Sequence, residues 1–303
     1  MKIATPQRLV GYLMVVTASI LFGVNGTLSR LLFDAGISPV TLVEFRMLIG
    51  GGVLMAVISI WWRRGLKLPK QDLGWIVAFG LSLALVTYFY FVAISRLPLA
   101  VALIIQFSAA TWMALAEALW RRRLPSWPVC VAIVFSLSGV VLLTGLWNQH
   151  LNGLDPIGII YANLAVIAYI VYLLLGRRIG RNIPALSATT YGALVASVFW
   201  LIVQPPWSIP ASTWQPGHLV LIVLVGILGM AIPFSLILGS LRRLDPTRVG
   251  IASMTELVAG AVIAYFFLHQ QLSLWQIIGC LIVLVGITIL QFEQRQVVLE
   301  DVA

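Results

Sequence analysis

The chain has 303 residues, 61% of them apolar and 10% charged, against roughly 25% charged residues in soluble domains. A soluble bundle of this composition would need polar outer helices around its core, and the sequence has none. The net charge of +9 invites a nucleic-acid partner, but the distribution of that charge along the chain accounts for it otherwise.

Apolar stretches run over residues 9–33, 39–62, 73–95, 98–120, 127–147, 157–176, 187–204, 217–240, 246–268 and 273–292. Each is long enough to cross a hydrocarbon layer of about 30 Å at about 1.5 Å per helical residue. The first follows Lys2 and Arg8 but is too long for a secretory signal, and Asn25 and Arg30 lie within it. Along the chain, linkers rich in Lys and Arg alternate with linkers that lack them. Of the 19 basic residues, 16 fall on one side of this zigzag. Arg96 falls on the other side, and Arg30 and Arg46 lie inside spans. Basic loops stay in the cytoplasm, so the pattern predicts a ten-span membrane protein with both termini cytoplasmic. Tryptophans at the span ends predict two interfacial belts, with Trp61, Trp62, Trp75 and Trp127 on the basic side and Trp200, Trp207, Trp214 and Trp275 on the other.

An offset of 147 residues brings Gly11 onto Gly158, Arg30 onto Arg177, Arg96-Leu97 onto Arg243-Leu244, and residues 139–143 onto 286–290. This predicts one five-span unit used twice, residues 1–147 and 148–303. Because five is odd, the second copy enters the membrane from the opposite face. Inverted repeats can pack in two unequal ways and so open a central site to either side. The expected fold is therefore an all-α polytopic membrane protein of two inverted five-helix repeats with a site between the halves. Cys130 and Cys280 lie at different depths, which predicts that they do not form a disulfide.

Residues 21–25 (Leu-Phe-Gly-Val-Asn), Arg46, and the hairpins 97–143 and 244–290 resemble the drug/metabolite transporter superfamily, and within it the ten-helix EamA-type members. The likeness is greatest to bacterial aromatic amino acid exporters. It implies a basket of ten helices in the bacterial inner membrane, a small-molecule substrate, and alternating access around a central cavity lined by spans 1, 3, 4, 6, 8 and 9. One departure stands out. Where many members carry a proline midway along the helix that opens each closing hairpin, this chain has Ala109 and Glu256.

An acid at mid-depth is costly in lipid and must face a cavity or a partner. Glu256 can recognise a substrate amine, carry a proton, or serve as a structural acid, and its helical neighbours Ser253 and Gly260 form a small, polar face. Asn25, Gln106 and Asn163 interrupt apolar spans. Their amides can grip a zwitterion without a buried full charge or can tie helices together. Tyr88, Trp112 and Tyr169 are mid-span polar aromatics that can line a cavity or pack helices. Arg30, Glu44 and Arg46 suit structural pairing, for example Glu44 with Arg30, or binding of a substrate carboxylate. Pro233, inside span 8, removes a helical hydrogen bond and marks either a hinge for a gate or a static kink.

The predicted function is secondary transport of amino acids, aromatic or other large neutral ones, or of similar metabolites, in the direction of export. Sugar phosphates and nucleotide sugars remain as alternatives of the same fold, but such dianions call for several basic residues at mid-depth. An intramembrane enzyme would need a nucleophile–base pair or a metal cluster, and His150, His218 and His269 all lie near the outer face. A scaffold would usually carry long loops. No cofactor, metal or nucleic acid is expected. The partners are the substrate and the lipid bilayer, and the protein is expected to be a monomer.

Overall fold

Proline and its capping partners start the helices. Ser38 caps α2 (Pro39–Trp61), its Oγ accepting from the Thr41 N–H at 3.2 Å. Asp155 caps α7 (Pro156–Ile179) by accepting from the Ile157 N–H at 2.9 Å. Proline at the first helical turn lacks only an N–H that would have had no partner. Helix α1 (Pro6–Asp34) ends in a Schellman motif, with Ile37 N–H on the Leu32 carbonyl and Gly36 N–H on the Phe33 carbonyl. Gly36 has φ of 84° there, which only glycine adopts freely.

The computed structural model describes residues 6–97, 99–121, 126–144, 154–268 and 273–300. It is all-helical. The remaining helices are α3 (Leu73–Arg96), α4 (Leu99–Phe107), α5 (Ala109–Arg121), α6 (Trp127–Thr144), α8 (Ala185–Val203), α9 (Pro216–Gly226), α10 (Ile232–Ser240), α11 (Pro246–Ala252), α12 (Thr255–Leu268) and α13 (Leu274–Glu300). Among the described residues, six helical segments are long and apolar enough to cross a membrane: Gln7–Asp34, Pro39–Trp61, Lys70–Arg96, Pro156–Ile179, Ala185–Val203 and Pro216–Ser240.

Three of the expected spans are not straight helices. Span 4 breaks at Ser108 between α4 and α5, and span 9 breaks at Ser253-Met254 between α11 and α12. No proline is needed at either break. Hydroxyls turn back onto the preceding carbonyls instead: Ser108 Oγ donates to Ile105 (2.6 Å), Ser253 Oγ to Val249 (2.8 Å) and Thr255 Oγ1 to Ala252 (2.6 Å). Such bonds compete with the helical ladder and bend it. Span 8 is interrupted by a π-helical turn, Ile227–Ala231, between α9 and α10, immediately before Pro233.

The packing follows a pairwise scheme. Helix α3 lies along α7, α2 along α8, α1 against α10 and α12, and α6 along α13. Without a hydrophobic drive between helices in lipid, close backbone approach through small residues holds such pairs. Helices α6 and α13 approach most tightly: a Cβ on Gly279 would meet the Leu143 nitrogen at 2.5 Å and the Gly139 oxygen at 2.7 Å. The largest buried cluster lies among α1, α2, α3, α7, α8 and α10, and includes Leu42, Met47, Phe79, Tyr172 and Leu238.

Trp61, Trp127, Trp207, Trp214 and Trp275 stand exposed as belt residues should, and Arg178 stacks over the Trp75 ring at 4.2 Å. Trp200 does not belong to the belt. It is only 2% exposed, packed 5.1 Å from the Tyr88 ring. Cys130 and Cys280 are not joined by a disulfide.

Arg96, the basic residue set apart from the basic linkers in the expected zigzag, is paired. Its Nη1 donates to Asp155 Oδ2 at 3.0 Å, joining the end of α3 to the start of α7. Arg96 and then the Ile157 N–H hold the Asp155 carboxyl below the usual aspartate range. A lowered folded value means that the latch is in force above the ordinary aspartate pKa and is lost only as pH falls below it. Acidification of that face from pH 7 to pH 5 is therefore expected to leave the α3–α7 contact intact, as read by crosslinking of cysteines placed across it. Asp155→Asn should lose the ion pair but retain the helix cap, and Asp155→Ala should lose both, so thermal stability should fall in the order wild type, Asn, Ala.

Candidate substrate site

The site forms where spans 1, 2, 8 and 9 meet, and the irregular turn of span 8 is its centre. Pro233 has no N–H, so a carbonyl one turn back loses its helical donor. Arg46 from α2 fills this gap: its Nη2 donates to the Gly229 carbonyl. The guanidinium lies 5.6 Å from the ring centres of both Phe91 and Phe234, a cation–π sandwich suited to a charge withdrawn from water. Arg46 is 4% exposed, and its Nε has no hydrogen-bond partner.

Asn25 of α1 sits against the same turn. It is buried, and a Cβ on Gly229 would strike its Oδ1. That Oδ1 has no partner either. The absence of a side chain at Gly229 is what allows span 8 to come this close to span 1. A second close approach lies one helix further on, where a Cβ on Gly23 would meet the Gly260 nitrogen at 3.1 Å and the Glu256 carbonyl at 3.3 Å.

Glu256 occupies the first turn of α12, just past the break in span 9. The exposed N–H groups and positive dipole end of a helix start favour a carboxylate there, and a broken mid-membrane helix is where such charge is tolerated. Glu256 is half-buried and interacts electrostatically with Arg46 and Tyr90. Ser253 joins it on the other side of the break: Tyr169 Oη donates to Ser253 Oγ at 3.4 Å, and Ser19 Oγ donates to the Ser253 carbonyl at 3.4 Å. One locus thus gathers Asn25, Arg46, Tyr169, Ser253 and Glu256, with Pro233 and Gly260 shaping it.

The other expected members lie elsewhere. Trp112 is 56% exposed on the face of α5 shared with Leu115, while Ala109, Ala110, Met113 and Ala114 take the packed face. Small residues fit that interface and an indole does not, so Trp112 is an outward ring and not part of this locus. Asn163 is exposed and spends its amide on its own helix, Nδ2 donating to the Ile159 carbonyl at 2.8 Å. Tyr88 belongs to an aromatic group with Tyr161 and Trp200 near the Arg96 end. Gln106 is half-buried beside the break in span 4, its Oε1 without a partner. Glu44 is fully buried and neither carboxylate oxygen accepts a hydrogen bond among the described residues. The suggested partner of Glu44, Arg30, has its side chain outside the described residues.

Sequence reasoning missed Phe91, Phe234, Tyr90 and Gly229. Nothing distinguishes Phe91 from any other apolar residue of its span. The proximity of Gly229 to Pro233 by one helical turn was the available signal.

The EamA-like transporter family model matches residues 9–145 and again 156–292, the second match 147 residues after the first. The chain belongs to the EamA-like transporter family. It is a multi-pass membrane protein of a family of transporters, which agrees with the resemblance carried by spans 1 and 2 and the closing hairpins. The chain is 28% identical over 275 residues to the threonine/homoserine exporter RhtA of Salmonella typhimurium, covering 88% of this chain and 85% of that one. It is 29% identical over 270 residues to its namesake in Escherichia coli strain K12, with the same coverage. The uncharacterized transporter YcbK of Bacillus subtilis is 24% identical over 164 residues, about half of each chain. A crystal structure superposes with a TM-score of 0.78 at 20% identity, covering 95% of this chain and 98% of the other, which shows the shared fold. The two exporters are named for small polar amino acids, where the sequence resemblance pointed to aromatic ones.

Proposed function

We propose that the protein is a secondary transporter exporting zwitterionic amino acids across the bacterial inner membrane. Ten spans form two inverted halves, residues 1–147 and 148–303, with both termini cytoplasmic. The helix pairing supports this: exchanging the halves turns α1 on α10 into α7 on α3, and leaves α2 on α8 and α6 on α13 unchanged. Two breaks at corresponding places in spans 4 and 9 fit the same exchange. Alternating access is then a rocking of one half against the other around the site at their interface.

The observation that carries the substrate class is the buried Arg46. Its Nε and the Oδ1 of Asn25 lack partners, and Arg46 lies within electrostatic reach of Glu256. Unmatched buried polar atoms cost about 1–3 kcal/mol each, a cost that a bound ligand removes. A zwitterion fits the charges: its carboxylate takes the free donor of Arg46, and its ammonium takes Glu256 with Asn25 Oδ1 as a second acceptor. The relatives named for threonine and homoserine support this class.

Small polar side chains are favoured over aromatic ones because the rings nearest the site fill one another. Tyr169 stacks on Tyr172 at 6.2 Å, Tyr172 meets Phe234 edge-on at 5.6 Å, and Phe234 meets Phe22 at 5.2 Å. Counterflow in proteoliposomes tests the reading. Labelled threonine or homoserine is expected to accumulate when the lumen is preloaded with the same amino acid, and sugar phosphates are expected not to move. Transport of sugar phosphates with no amino acid moving would overturn the assignment.

A further inference from the structure

At the arginine-rich end of the bundle, a cavity of about 490 Å³ is lined by Arg8, Arg177, Arg181, Arg242, Arg243 and Arg248, with Asp245 the one acid among its lining residues. That acid is already engaged: Arg177 Nη2 lies 2.6 Å from its Oδ1, and Arg248 Nε 3.9 Å from its Oδ2. A bias of basic residues toward the cytoplasm explains why arginines collect on this side. It does not explain why six of them converge on one concave space with a single carboxylate, where like charges raise one another's energy.

The opposite end of the molecule shows what is missing. A Cβ on Gly158 would meet Leu97 Cγ at 2.7 Å and Arg96 Cβ at 3.1 Å. A Cβ on Gly11, 147 residues earlier, would meet Leu244 Cγ at 2.9 Å and Arg243 Cβ at 3.1 Å. The two contacts are the same interlock made once at each end. Three residues before Gly158 stands Asp155, which accepts from Arg96 at 3.0 Å. Three residues before Gly11 stands Arg8. The outer interlock therefore closes on an ion pair. Its inner counterpart sets a second guanidinium in the place of the acid, and both Arg8 and Arg243 open onto the cavity.

We propose that this cavity is a binding site for a phosphate group, as the free ion or in a lipid headgroup, whose oxygens stand where the Asp155 carboxylate stands at the other end. Planar guanidinium forks match phosphate oxygens two at a time, and basic pockets between helices on this side suit anionic headgroups. A phosphate there ties Arg8 at the start of span 1 to Arg243 in the linker between spans 8 and 9. It therefore stabilises the form in which these ends are packed, closed toward the basic side. The site is separate from Arg46 and Glu256, and the binding test below does not depend on what the protein transports.

The test uses the full chain, purified and delipidated in a neutral detergent. Its thermal unfolding midpoint is followed with inorganic phosphate against chloride at matched ionic strength, and in phosphatidylcholine nanodiscs with and without phosphatidylglycerol. Phosphate or phosphatidylglycerol is expected to raise the midpoint by several degrees. A response to inorganic phosphate identifies a soluble anion, and a response to phosphatidylglycerol alone identifies a headgroup. Arg8→Asp restores the outer type of ion pair. It is expected to raise the midpoint without ligand and to weaken the ligand response at least about tenfold in apparent affinity. Arg63→Ala removes an exposed basic residue of another linker, and should leave the response unchanged. No shift with either ligand, or equal loss in the Arg8 and Arg63 variants, would overturn the proposal.

Discussion

Glu256→Gln is expected to lower amino acid export by roughly ten- to a hundredfold, the range set by loss of a charge-assisted hydrogen bond of about 1.5–3 kcal/mol. The substitution keeps the size and the hydrogen-bonding reach of the side chain, so the turn at the start of α12 is retained. What disappears is the negative charge that faces Arg46. Counterflow of threonine against its N-acetyl derivative separates a binding role from a supporting one. If Glu256 holds the substrate ammonium, the wild type should reject the acetylated compound and the Gln variant should lose most of that preference. Full transport by the variant with preference unchanged would remove Glu256 from the site. Glu256→Asp should be intermediate, since it keeps the charge but retracts it by one methylene.

The second large effect is on stability. Gly279→Leu is expected to cost at least about 3 kcal/mol or to prevent accumulation of folded protein, beyond the usual 1–3 kcal/mol of overpacking. The reason is that the atoms it would strike are backbone. Even alanine would place its Cβ 2.5 Å from the Leu143 nitrogen and 2.7 Å from the Gly139 oxygen. No rotamer relieves that contact, so α6 and α13 must separate. Gly139 is the reciprocal position, its Cβ falling 2.8 Å from both the Gly279 oxygen and the Val283 nitrogen. Once the helices have parted for one substitution the other costs less, so Gly139→Ala and Gly279→Ala together should destabilise by less than their sum. Gly52→Ala, with nothing within 4 Å of its Cβ, should be neutral or stabilising by up to about 1 kcal/mol, since alanine is the better helix former. Thermal unfolding in a common detergent compares the five variants.

Much of the fold was legible because its signals are local. A proline after Ser38 or Asp155 announces a helix start whatever surrounds it, and Lys and Arg in a linker bias its side of the membrane without reference to any other helix. The repeat was legible at Gly11 and Gly158 because each glycine answers the same demand, space for a leucine and an arginine arriving from another span. The site was less legible. Glu256 could be singled out because a carboxylate in an apolar span needs an explanation anywhere. Its position at a helix start could not, because the break depends on Ser253 and Thr255 turning their hydroxyls onto carbonyls, which serines and threonines in straight helices also do. That Trp112 and Asn163 lie outside this locus was not legible for a related reason. In an all-apolar helix no polar face distinguishes inside from outside, so an indole or an amide at mid-span looks the same whether it lines a cavity or leans outward.

The sequence by itself determined that this chain is a membrane-embedded helical protein, where its apolar segments lie, and that one family unit is used twice. These follow from the transfer of single side chains and short segments between water and lipid, an energy that each segment carries with it. The tertiary structure alone decided that Arg46 reaches the Gly229 carbonyl left short of a donor by Pro233, that Asn25 lies against the same turn, and that Glu256 on another helix comes within electrostatic reach of Arg46. Those choices depend on how helices far apart in the chain rotate and tilt against one another. That is settled by the close approach of small residues such as Gly23, Gly229 and Gly279, whose effect is visible only once their neighbours are in place.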